Sequence, residues 1–297
     1  MKINESFAGI ATSETRVIEM YYPEDKRLFK DQFSYKLLPF GWKLFVRLFY
    51  LPGVRGLVLS LRERRMPGSL GGILCRTRYI DDVLKRSLEE GIDQLVILGA
   101  GFDSRAYRIE GTDQIKVFEV DLPGTRRMKQ IRVEKVLGAV PENVTLVGMN
   151  FDHQKLDDIF KAAGFHKGKR TLFIWEGVTQ YITAEAVNNT LEYVAKVSGV
   201  GSAIVFTYVR RRLIDGTDCP EWFLRFQSFA RRVGSPLVFG LEPAELWQYL
   251  SDRGLKLIDD VGTAEYQERY LVPLGREISV FEGERVAFSE VKRPMVT

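Results

Sequence analysis

Short apolar runs alternate with segments of helical length along most of the chain. Several of these runs are continuously apolar, which is typical of strands that are covered on both faces of a sheet. The alternation predicts an α/β fold built on a doubly wound sheet. The seven predicted strands are Gln94–Leu98, Ile115–Val120, Val144–Val147, Thr171–Trp175, Ala203–Val209, Leu255–Val261 and Glu277–Phe281.

The segments between the runs carry helical signals. Pro123 and Pro243 can each open a helix in its first turn, and Thr183 can cap a further one. Residues 76–90 place apolar side chains on one helical stripe, and Gly91 suits the end of that helix. The stripe consists of Ile80, Val83, Leu84 and Leu88. These helices are the expected connections between successive strands.

Two regions fall outside this alternation. Residues 1–90 precede the first strand, and residues 210–241, which are rich in Phe, Trp and Arg, follow the fifth. Long irregular segments often build lids over active sites. We predict a helical N-terminal cap over residues 1–90 and a core over residues 91–297 with a lid insertion at about 210–241, together forming one structural domain.

Within the predicted cap, Phe40–Leu61 is strongly apolar. The segment carries Lys43, Arg47 and Arg55 and is interrupted by Pro52-Gly53, so it falls short of an uncharged membrane-spanning run. We interpret it as a helical hairpin that forms part of a lid over the acceptor pocket. A segment that lies on a membrane surface is the alternative.

Composition narrows the function classes. The 297 residues are 45% hydrophobic and 28% charged, as in an ordinary soluble protein, and the net charge is only +4. The basic residues are scattered, whereas nucleic-acid binders concentrate them on one face. Two cysteines and two histidines leave little scope for a disulfide scaffold or a metal site. The first residues lack a signal-peptide core. We therefore expect a cytoplasmic protein with no nucleic-acid, membrane or metal partner.

The strongest candidate site follows the first strand, where Gly99-Ala100-Gly101 leads into Phe102-Asp103-Ser104. Glycines let a ligand approach the backbone, whose N–H groups favour polar or anionic ligands. Asp121 ends the second strand 22 residues after Gly99, and Glu119 lies just before it. A carboxylate at this position can accept both hydroxyls of a ribose. The pattern favours a nucleoside ligand over a tight turn without a ligand or solvated strand-end charges.

The residues after the glycines favour a methyl donor over a nicotinamide dinucleotide. Ser104 stands where the dinucleotide fingerprint has its third glycine. Asp103 places negative charge where a pyrophosphate would bind. S-adenosylmethionine carries a sulfonium and an α-amino group instead, so acid near the turn suits it.

Three further positions belong to the candidate site. Asn150 and Phe151 follow the third strand and could read an adenine edge, although a helix-capping loop is the alternative. Glu176 ends the fourth strand and points to the same crevice, unless it is a core-edge residue paired with an arginine. Arg78 begins the helix before the first strand, and its guanidinium matches a ligand carboxylate better than a helix N-terminus.

Together these motifs make the chain resemble the S-adenosylmethionine-dependent O-methyltransferases of the leucine carboxyl methyltransferase type, especially their bacterial and archaeal branch. The resemblance covers nearly the whole chain, and the combination of motifs is specific. It rests on Arg76–Asp82, Ile97–Arg108, Phe118–Asp121 and Trp175–Tyr181, supported by Thr15-Arg16, Leu28–Asp31 and Gly240–Pro243.

The resemblance implies the seven-stranded, Rossmann-like class I methyltransferase sheet with an added helical lid. It also implies that Arg78 holds the methionine carboxylate, that Gly99 and Gly101 line the methionyl part, that Asp121 binds the ribose and that Glu176 lies near the methionine amino group. We also expect the cofactor to contact Ala100, Asp103, Leu122, Asn150 and Phe151. Asn150 replaces the family's usual Asp, which bears on affinity and not on ligand identity.

The resemblance implies methyl transfer to an oxygen atom. The low net charge and the aromatic residues of the predicted lid favour a carboxylate or hydroxyl oxygen of a small molecule as the acceptor. A carboxylate acceptor is already ionised at neutral pH and needs no general base, which suits a chain with two histidines. We expect Tyr181 and Arg210 to contact the acceptor. A protein carboxyl terminus as acceptor is the main alternative, followed by a nicotinamide oxidoreductase and a non-catalytic binding protein. The oligomeric state cannot be read from the sequence.

Overall fold

The structure of the chain, a computed structural model, describes residues 7–292. Its centre is one seven-stranded sheet with the strand order β3-β2-β1-β4-β5-β7-β6. The first five strands pair in parallel, and β7 runs antiparallel to both β5 and β6. The strands are β1 Gln94–Leu98, β2 Lys116–Asp121, β3 Val144–Gly148, β4 Thr171–Trp175, β5 Ala203–Val209, β6 Leu255–Val261 and β7 Glu284–Val291. The predicted α/β class is confirmed.

The helices lie before and between these strands. The first five precede the sheet: α1 Phe7–Glu19, α2 Gln32–Leu37, α3 Phe40–Arg47, α4 Pro52–Arg65 and α5 Ser69–Glu89. The others are α6 Arg105–Arg108, α7 Pro123–Leu137, α8 Leu156–Ala163, α9 Ala184–Val197, α10 Arg211–Ile214, α11 Glu221–Arg232, α12 Pro243–Ser251 and α13 Thr263–Tyr266.

The seventh predicted strand was wrong. Residues 277–281 form an irregular segment, and β7 begins at Glu284. The reason is local packing: the Phe281 N–H donates to the Gly68 carbonyl (3.1 Å), and the Phe281 ring lies 4.7 Å from that of Trp222. The apolar side chain of Phe281 therefore joins the insertion instead of a strand, while β7 buries a shorter apolar stretch between charged ends.

Both faces of the sheet are covered, as the apolar runs predict. Along β1, Leu95 and Ile97 pack against α5, while Val96 and Leu98 pack on the opposite face with α9 and α12. Every residue of β1, β4 and β5 is buried. This continuous burial fixes the sheet as a rigid platform, and the carboxyl ends of β1 to β5 share one edge.

The N-terminal cap contacts that edge through α1. An ideal Cβ added to Gly101 would lie 3.6 Å from the Gly9 Cα, so α1 runs directly over the turn that follows β1. The Arg16 Nη2 donates to the Phe102 carbonyl (2.7 Å), and the Arg16 Nε pairs with Asp31 (3.0 Å). A buried ion pair of the cap is thereby anchored to the turn.

Helices α3 and α4 form the predicted hairpin, with a 111° bend between them. Within residues 7–292 no single helix is both long and apolar enough to cross a membrane, and only this bent pair reaches that length and composition together. The expectation that its apolar side chains cover the site finds no support, because most of the large ones are exposed to solvent.

The insertion at residues 210–241 folds back on the sheet edge. A bridge between Arg210 and Leu241 closes it, and it contains α10 and α11. Phe223 and Leu213 pack with Val209 at the end of β5. The Val238 N–H donates to the Gln180 carbonyl (2.8 Å), which places the end of the insertion beside the segment that follows β4.

Candidate functional site

The turn after β1 requires glycine for two different reasons. Gly99 has a φ of +66°, and an ideal Cβ there would lie 2.1 Å from the Val178 Cγ2 atom. Gly101 has a φ of +45°, a conformation that side chains with a Cβ rarely adopt. The turn therefore brings bare backbone to the sheet edge, as the motif predicts.

Asp121 is fixed directly beside this turn. The Gly101 N–H donates to Asp121 Oδ2 (2.5 Å), and the Leu122 N–H donates to Asp121 Oδ1 (2.6 Å). Burial raises the pKa of the Asp121 carboxyl, and the two backbone hydrogen bonds oppose that rise. A carboxylate oxygen accepts more than one hydrogen bond, so both oxygens can also receive ribose hydroxyls. Ala100 and Leu122 flank this arrangement through the backbone.

Glu119 takes no part in this arrangement. Its carboxylate is buried and lies 2.8 Å from Lys129 Nζ, and the Tyr107 hydroxyl donates to it (2.9 Å). Burial raises the pKa of Glu119, and Lys129 opposes the shift. Glu119 is a core ion pair, which leaves Asp121 as the carboxylate at the tip of β2.

Glu176, at the end of β4, lies between two arginines. Its Oε1 accepts from Arg76 Nε (2.9 Å) and its Oε2 from Arg105 Nη1 (2.7 Å). Burial opposes ionisation of Glu176, but the guanidinium groups of Arg105 and Arg76 outweigh it and lower the pKa of the carboxyl. Both interpretations of Glu176 therefore hold: it is a carboxylate at the tip of a strand, and it is paired with arginine.

Arg76, and not Arg78, lies next to Glu176. The Arg76 side chain is 9% exposed and also contacts Glu284. The Arg78 side chain is 35% exposed, pairs with Asp82 (2.9 Å) and donates to the Leu28 carbonyl (2.7 Å). Residues two apart on a helix point about 200° apart, so they cannot share a face. The geometry therefore favours Arg76 over Arg78 as the arginine of the site.

The sequence contained a signal for Arg76. It precedes Ile80 by four residues, so it lies on the same stripe of α5 that faces the core. Arg105 was missed as well. Its side chain is 1% exposed and pairs with Asp81 (2.8 Å), Asp103 and Glu176. A buried arginine is costly unless it is fully paired, and the Asp103-x-Arg105 spacing just after the glycine turn was its only local signal.

Asp103 is engaged by that same arginine. Its Oδ1 accepts from the Arg105 backbone N–H (2.7 Å), and its Oδ2 contacts the Arg105 guanidinium. Burial opposes ionisation, but Arg105 and Arg16 lower the pKa of Asp103 below its ordinary value. Asp103 therefore stays ionised and orients Arg105. Its predicted contact with a cofactor stays a prediction.

Asn150 and Phe151 lie beyond β3, close to Asp121. The Met149 N–H donates to the Asp121 carbonyl (2.8 Å), which holds the loop against the tip of β2. Asn150 Oδ1 accepts from the Asp152 N–H (3.0 Å) and so stabilises a turn within its own loop, whereas α8 begins without a side-chain cap. The contact of Asn150 with an adenine stays a prediction. The Phe151 ring packs 6.1 Å from the Trp175 ring and supplies an apolar wall.

The predicted acceptor residues follow β4 and β5. Tyr181 ends a short 3₁₀ turn after β4; burial and the nearby Glu284 raise the pKa of its hydroxyl. Arg210 follows β5 and faces Glu242 (3.6 Å) and Glu282 (4.0 Å). The next two residues of that basic run form exposed ion pairs, Arg211 with Glu245 and Arg212 with Asp218.

A comparison with known families decides the relationship. The sequence profile described as "Leucine carboxyl methyltransferase" matches residues 10–195. The chain belongs to the leucine carboxyl methyltransferase family. The matched part of this family member contains the glycine turn, Asp121, Glu176 and Arg76, whereas the insertion at 210–241 lies outside it. The resemblance inferred from the motifs is thus confirmed.

Its relatives carry consistent names. A Mycobacterium sp. (strain KMS) protein named "Putative S-adenosyl-L-methionine-dependent methyltransferase" is 32% identical over 206 residues, covering 65% of this chain and 64% of the relative. Bacillus subtilis YktD, which carries the same description, is 27% identical over 210 residues, covering 70% of this chain and 69% of the relative. The match thus spans about two thirds of each relative's length.

Solved structures support the fold. A protein from Thermobifida fusca described as a "putative methyltransferase" superposes with a TM-score of 0.55 at 13% identity, covering 81% of this chain and 88% of that chain. A DUF574 family protein from Streptomyces avermitilis gives a TM-score of 0.55 at 12% identity, covering 79% of this chain and 88% of that chain. At this identity the likeness concerns the fold, and it agrees with the predicted methyltransferase sheet.

Proposed function

We propose that this family member is an S-adenosylmethionine-dependent methyltransferase. The observation that carries the proposal is the pairing of two carboxylates at one sheet edge: Asp121 fixed by the Gly101 N–H, and Glu176 held between Arg76 and Arg105. Asp121 suits a ribose diol. Glu176 with its two arginines suits an amino acid, which carries both an ammonium and a carboxylate group. Family membership and the relatives' names support the same ligand.

The donor set fits S-adenosylmethionine, which when bound supplies a methyl group activated by its sulfonium. In this proposal Asp121 accepts the ribose hydroxyls, Glu176 accepts from the α-ammonium, and the planar guanidinium of Arg76 holds the carboxylate. Arg105, which Asp103 holds by an ion pair, orients Glu176 through a second ion pair. Phe151 supplies an apolar surface on the adenine side. Transfer itself needs an aligned nucleophile more than a proton carrier.

A nicotinamide dinucleotide fits this site less well. The helix after the glycine turn, α6, has only four residues, so it offers little dipole to a pyrophosphate. Asp103 lies just before that helix and is ionised. Both features disfavour a ligand with two negative phosphates and leave the sulfonium ligand as the better match.

We further propose that the acceptor is a small molecule with a carboxylate or hydroxyl oxygen. Arg210 supports this, because its partly buried guanidinium faces Glu242 and Glu282 at distances of 3.6 and 4.0 Å, too long for strong hydrogen bonds, so an anion could recruit it. The aromatic insertion lies beside Gln180 and adds apolar side chains at this edge of the sheet, which suits an acceptor of small size. The family description keeps a protein carboxyl terminus as the second candidate.

The test is methyl transfer from S-adenosylmethionine with a labelled methyl group. The full chain is incubated with a library of small carboxylic acids and phenols, and separately with cell lysate before and after removal of macromolecules. We expect the label in the small-molecule fraction. Label that base removes would indicate a methyl ester, and label that survives base would indicate a methyl ether. Label confined to the protein fraction would identify a protein acceptor, and no label in any fraction would contradict methyl transfer.

A further inference from the structure

The outer face of the α3–α4 hairpin is apolar and uncovered. Phe40 and Leu44 of α3 and Leu48, the first residue after it, recur every four residues and form one stripe. They are 83%, 58% and 46% exposed. In α4, Leu57 and Leu61 form a similar pair. A helix that is apolar on both faces is normally buried on both. The outer stripe therefore lacks the cover that its composition requires.

The inner face of α3 already has its partner. Val46 is fully buried and packs with Val17 and Leu38 of the cap. Phe49, in the turn after α3, is also fully buried. The inner side chains of the hairpin therefore hold it on the cap. The outer stripe is not needed for that packing and stays free for another partner.

Exposed apolar side chains are concentrated on this hairpin. Of the 17 large hydrophobic residues that are exposed in the described part of the chain, eight lie between Phe40 and Leu61. Single exposed apolar residues are ordinary, whereas a contiguous group marks a surface that binds something. We call this group the hairpin face; its main members are Phe40, Leu44, Leu48, Tyr50, Leu57 and Leu61.

The charges along the hairpin are almost all positive, although two of them face the cap: Arg62 pairs with Glu14 (3.2 Å) and Arg55 donates to the Tyr21 carbonyl (2.7 Å). Residues 36–65 carry seven Lys or Arg and one acidic residue, while the whole chain has a net charge of only +4, so the remainder is net acidic. Partial burial and the neighbouring cations Arg132, Lys135 and Arg47 lower the pKa of Lys43. Cations of α3 and α7 are therefore close to one another beside the apolar stripe.

The dimensions of the hairpin suit a surface and not a crossing. The eight residues of α3 are about 12 Å long at 1.5 Å per residue, against a hydrocarbon core of about 30 Å. The 111° bend directs α4 away from the line of α3. Short helices with an apolar face and flanking Lys and Arg residues lie in the headgroup region of anionic membranes.

We propose that the hairpin face docks on the surface of an anionic lipid bilayer, with its leucines and Phe40 at the acyl boundary and Lys43, Arg47 and the basic end of α4 against lipid phosphates and carboxylates. The inference departs from our expectation of no membrane partner and favours the alternative interpretation of Phe40–Leu61. It goes beyond the proposed function and does not depend on it, because Asp121 and Glu176 lie on a different element of the fold.

Vesicle flotation of the full chain tests the proposal. The probes are phosphatidylcholine vesicles with and without roughly 30% phosphatidylserine, at about 0.15 M salt and at about 1 M salt. The disrupting variant is Leu44→Glu/Leu48→Glu. The matched control is Val200→Glu/Trp247→Glu, which changes two apolar residues outside the hairpin that are more exposed than Leu44 and Leu48. Thermal melting of both variants checks that the fold is intact.

We expect the wild-type chain and the control to float with anionic vesicles, and to bind neutral or high-salt samples roughly tenfold less. We expect the disrupting variant to stay at the bottom of the gradient while keeping the wild-type melting temperature. Failure of the wild type to float, or equal flotation of the disrupting variant, would overturn the proposal. Sedimentation velocity adds a second outcome: a dimer that Leu44→Glu/Leu48→Glu dissociates, without vesicle binding, would assign the face to a second copy and overturn it too.

Discussion

Replacing Arg76 by glutamine should weaken S-adenosylmethionine binding, whereas the same change at Arg78 should not. Arg76 is buried and contacts Glu176 (2.9 Å). Arg78 lies on the half-exposed face of α5, where it pairs with Asp82 and donates to the Leu28 carbonyl. The two residues are identical in type and two positions apart. They therefore form a matched pair that separates position from charge.

The magnitude follows from the contacts. Losing a charge-assisted hydrogen bond to a ligand costs about 1.5–3 kcal/mol, or about tenfold to 150-fold in Kd. Removing one partner of a buried ion pair costs about 3–5 kcal/mol of folding stability, and we expect the lower end here because Glu176 keeps its 2.7 Å contact with Arg105. The Arg78–Asp82 pair is half exposed, so its loss should cost about 0.5 kcal/mol or less.

Isothermal titration calorimetry with S-adenosylhomocysteine measures Kd, and urea unfolding measures stability. Arg76→Lys is a second variant that keeps the charge and loses the planar fork, so it separates folding damage from ligand recognition. We expect Arg76→Gln and Arg76→Lys to bind more weakly than wild type and Arg78→Gln to match it. Weakened binding in Arg78→Gln, with wild-type binding in a folded Arg76→Lys, would refute the assignment of Arg76.

Three further predictions concern the neighbouring residues. Asp121→Ala should raise the Kd of S-adenosylhomocysteine by about tenfold or more without unfolding the chain, which calorimetry and circular dichroism check together. Gly99→Ala should destabilise the chain in urea, because its φ is +66° and its Cβ would lie 2.1 Å from Val178 Cγ2; adding Val178→Ala should recover part of the loss but leave the backbone strain of about 1 kcal/mol or more. The pKa of Glu176 is lowered in the folded chain, so its ion pairs should stabilise the fold fully above the ordinary glutamate pKa. This stabilisation should be lost as the pH falls through the folded pKa. Between about pH 5 and pH 3, the urea midpoint of Glu176→Gln should therefore fall less steeply than that of the wild type.

The strands that the sequence predicted correctly are those whose surroundings impose a simple pattern. Buried parallel strands such as β1 and β4 are continuous apolar runs, so the sequence marks them clearly. The last strand was misplaced because Val280 and Phe281 are apolar for another reason: Phe281 packs on Trp222 of the insertion, which no local pattern could reveal.

The site could be predicted only where its residues sit at strand ends. Asp121 and Glu176 follow β2 and β4, so topology alone brings them to one edge. The motif alone does not separate Arg76 from Arg78, because the choice depends on the rotation of α5, which the Ile80 stripe encodes. Arg105 was missed because its carboxylate partners Asp81 and Glu176 are distant in sequence and meet only in the folded chain.

The hairpin illustrates a different limit. Its helices and its break were predicted from Pro52-Gly53 and the apolar run, yet the sequence pattern does not say which apolar residues face inward. The structure turns Val46 and Phe49 to the cap and leaves Leu44 and Leu48 exposed. Because both faces of α3 are apolar, only the packing of α1 beneath it decides which face stays free.

Asp121 and the Arg76–Glu176–Arg105 group together form the nucleoside and amino-acid site that we propose. Calorimetric titration of the purified full chain with S-adenosylhomocysteine and, separately, with NAD measures which ligand this site binds. We expect saturable binding of S-adenosylhomocysteine with a single site per chain, and no heat of binding with NAD. Saturable binding of NAD without any binding of S-adenosylhomocysteine would contradict this proposal.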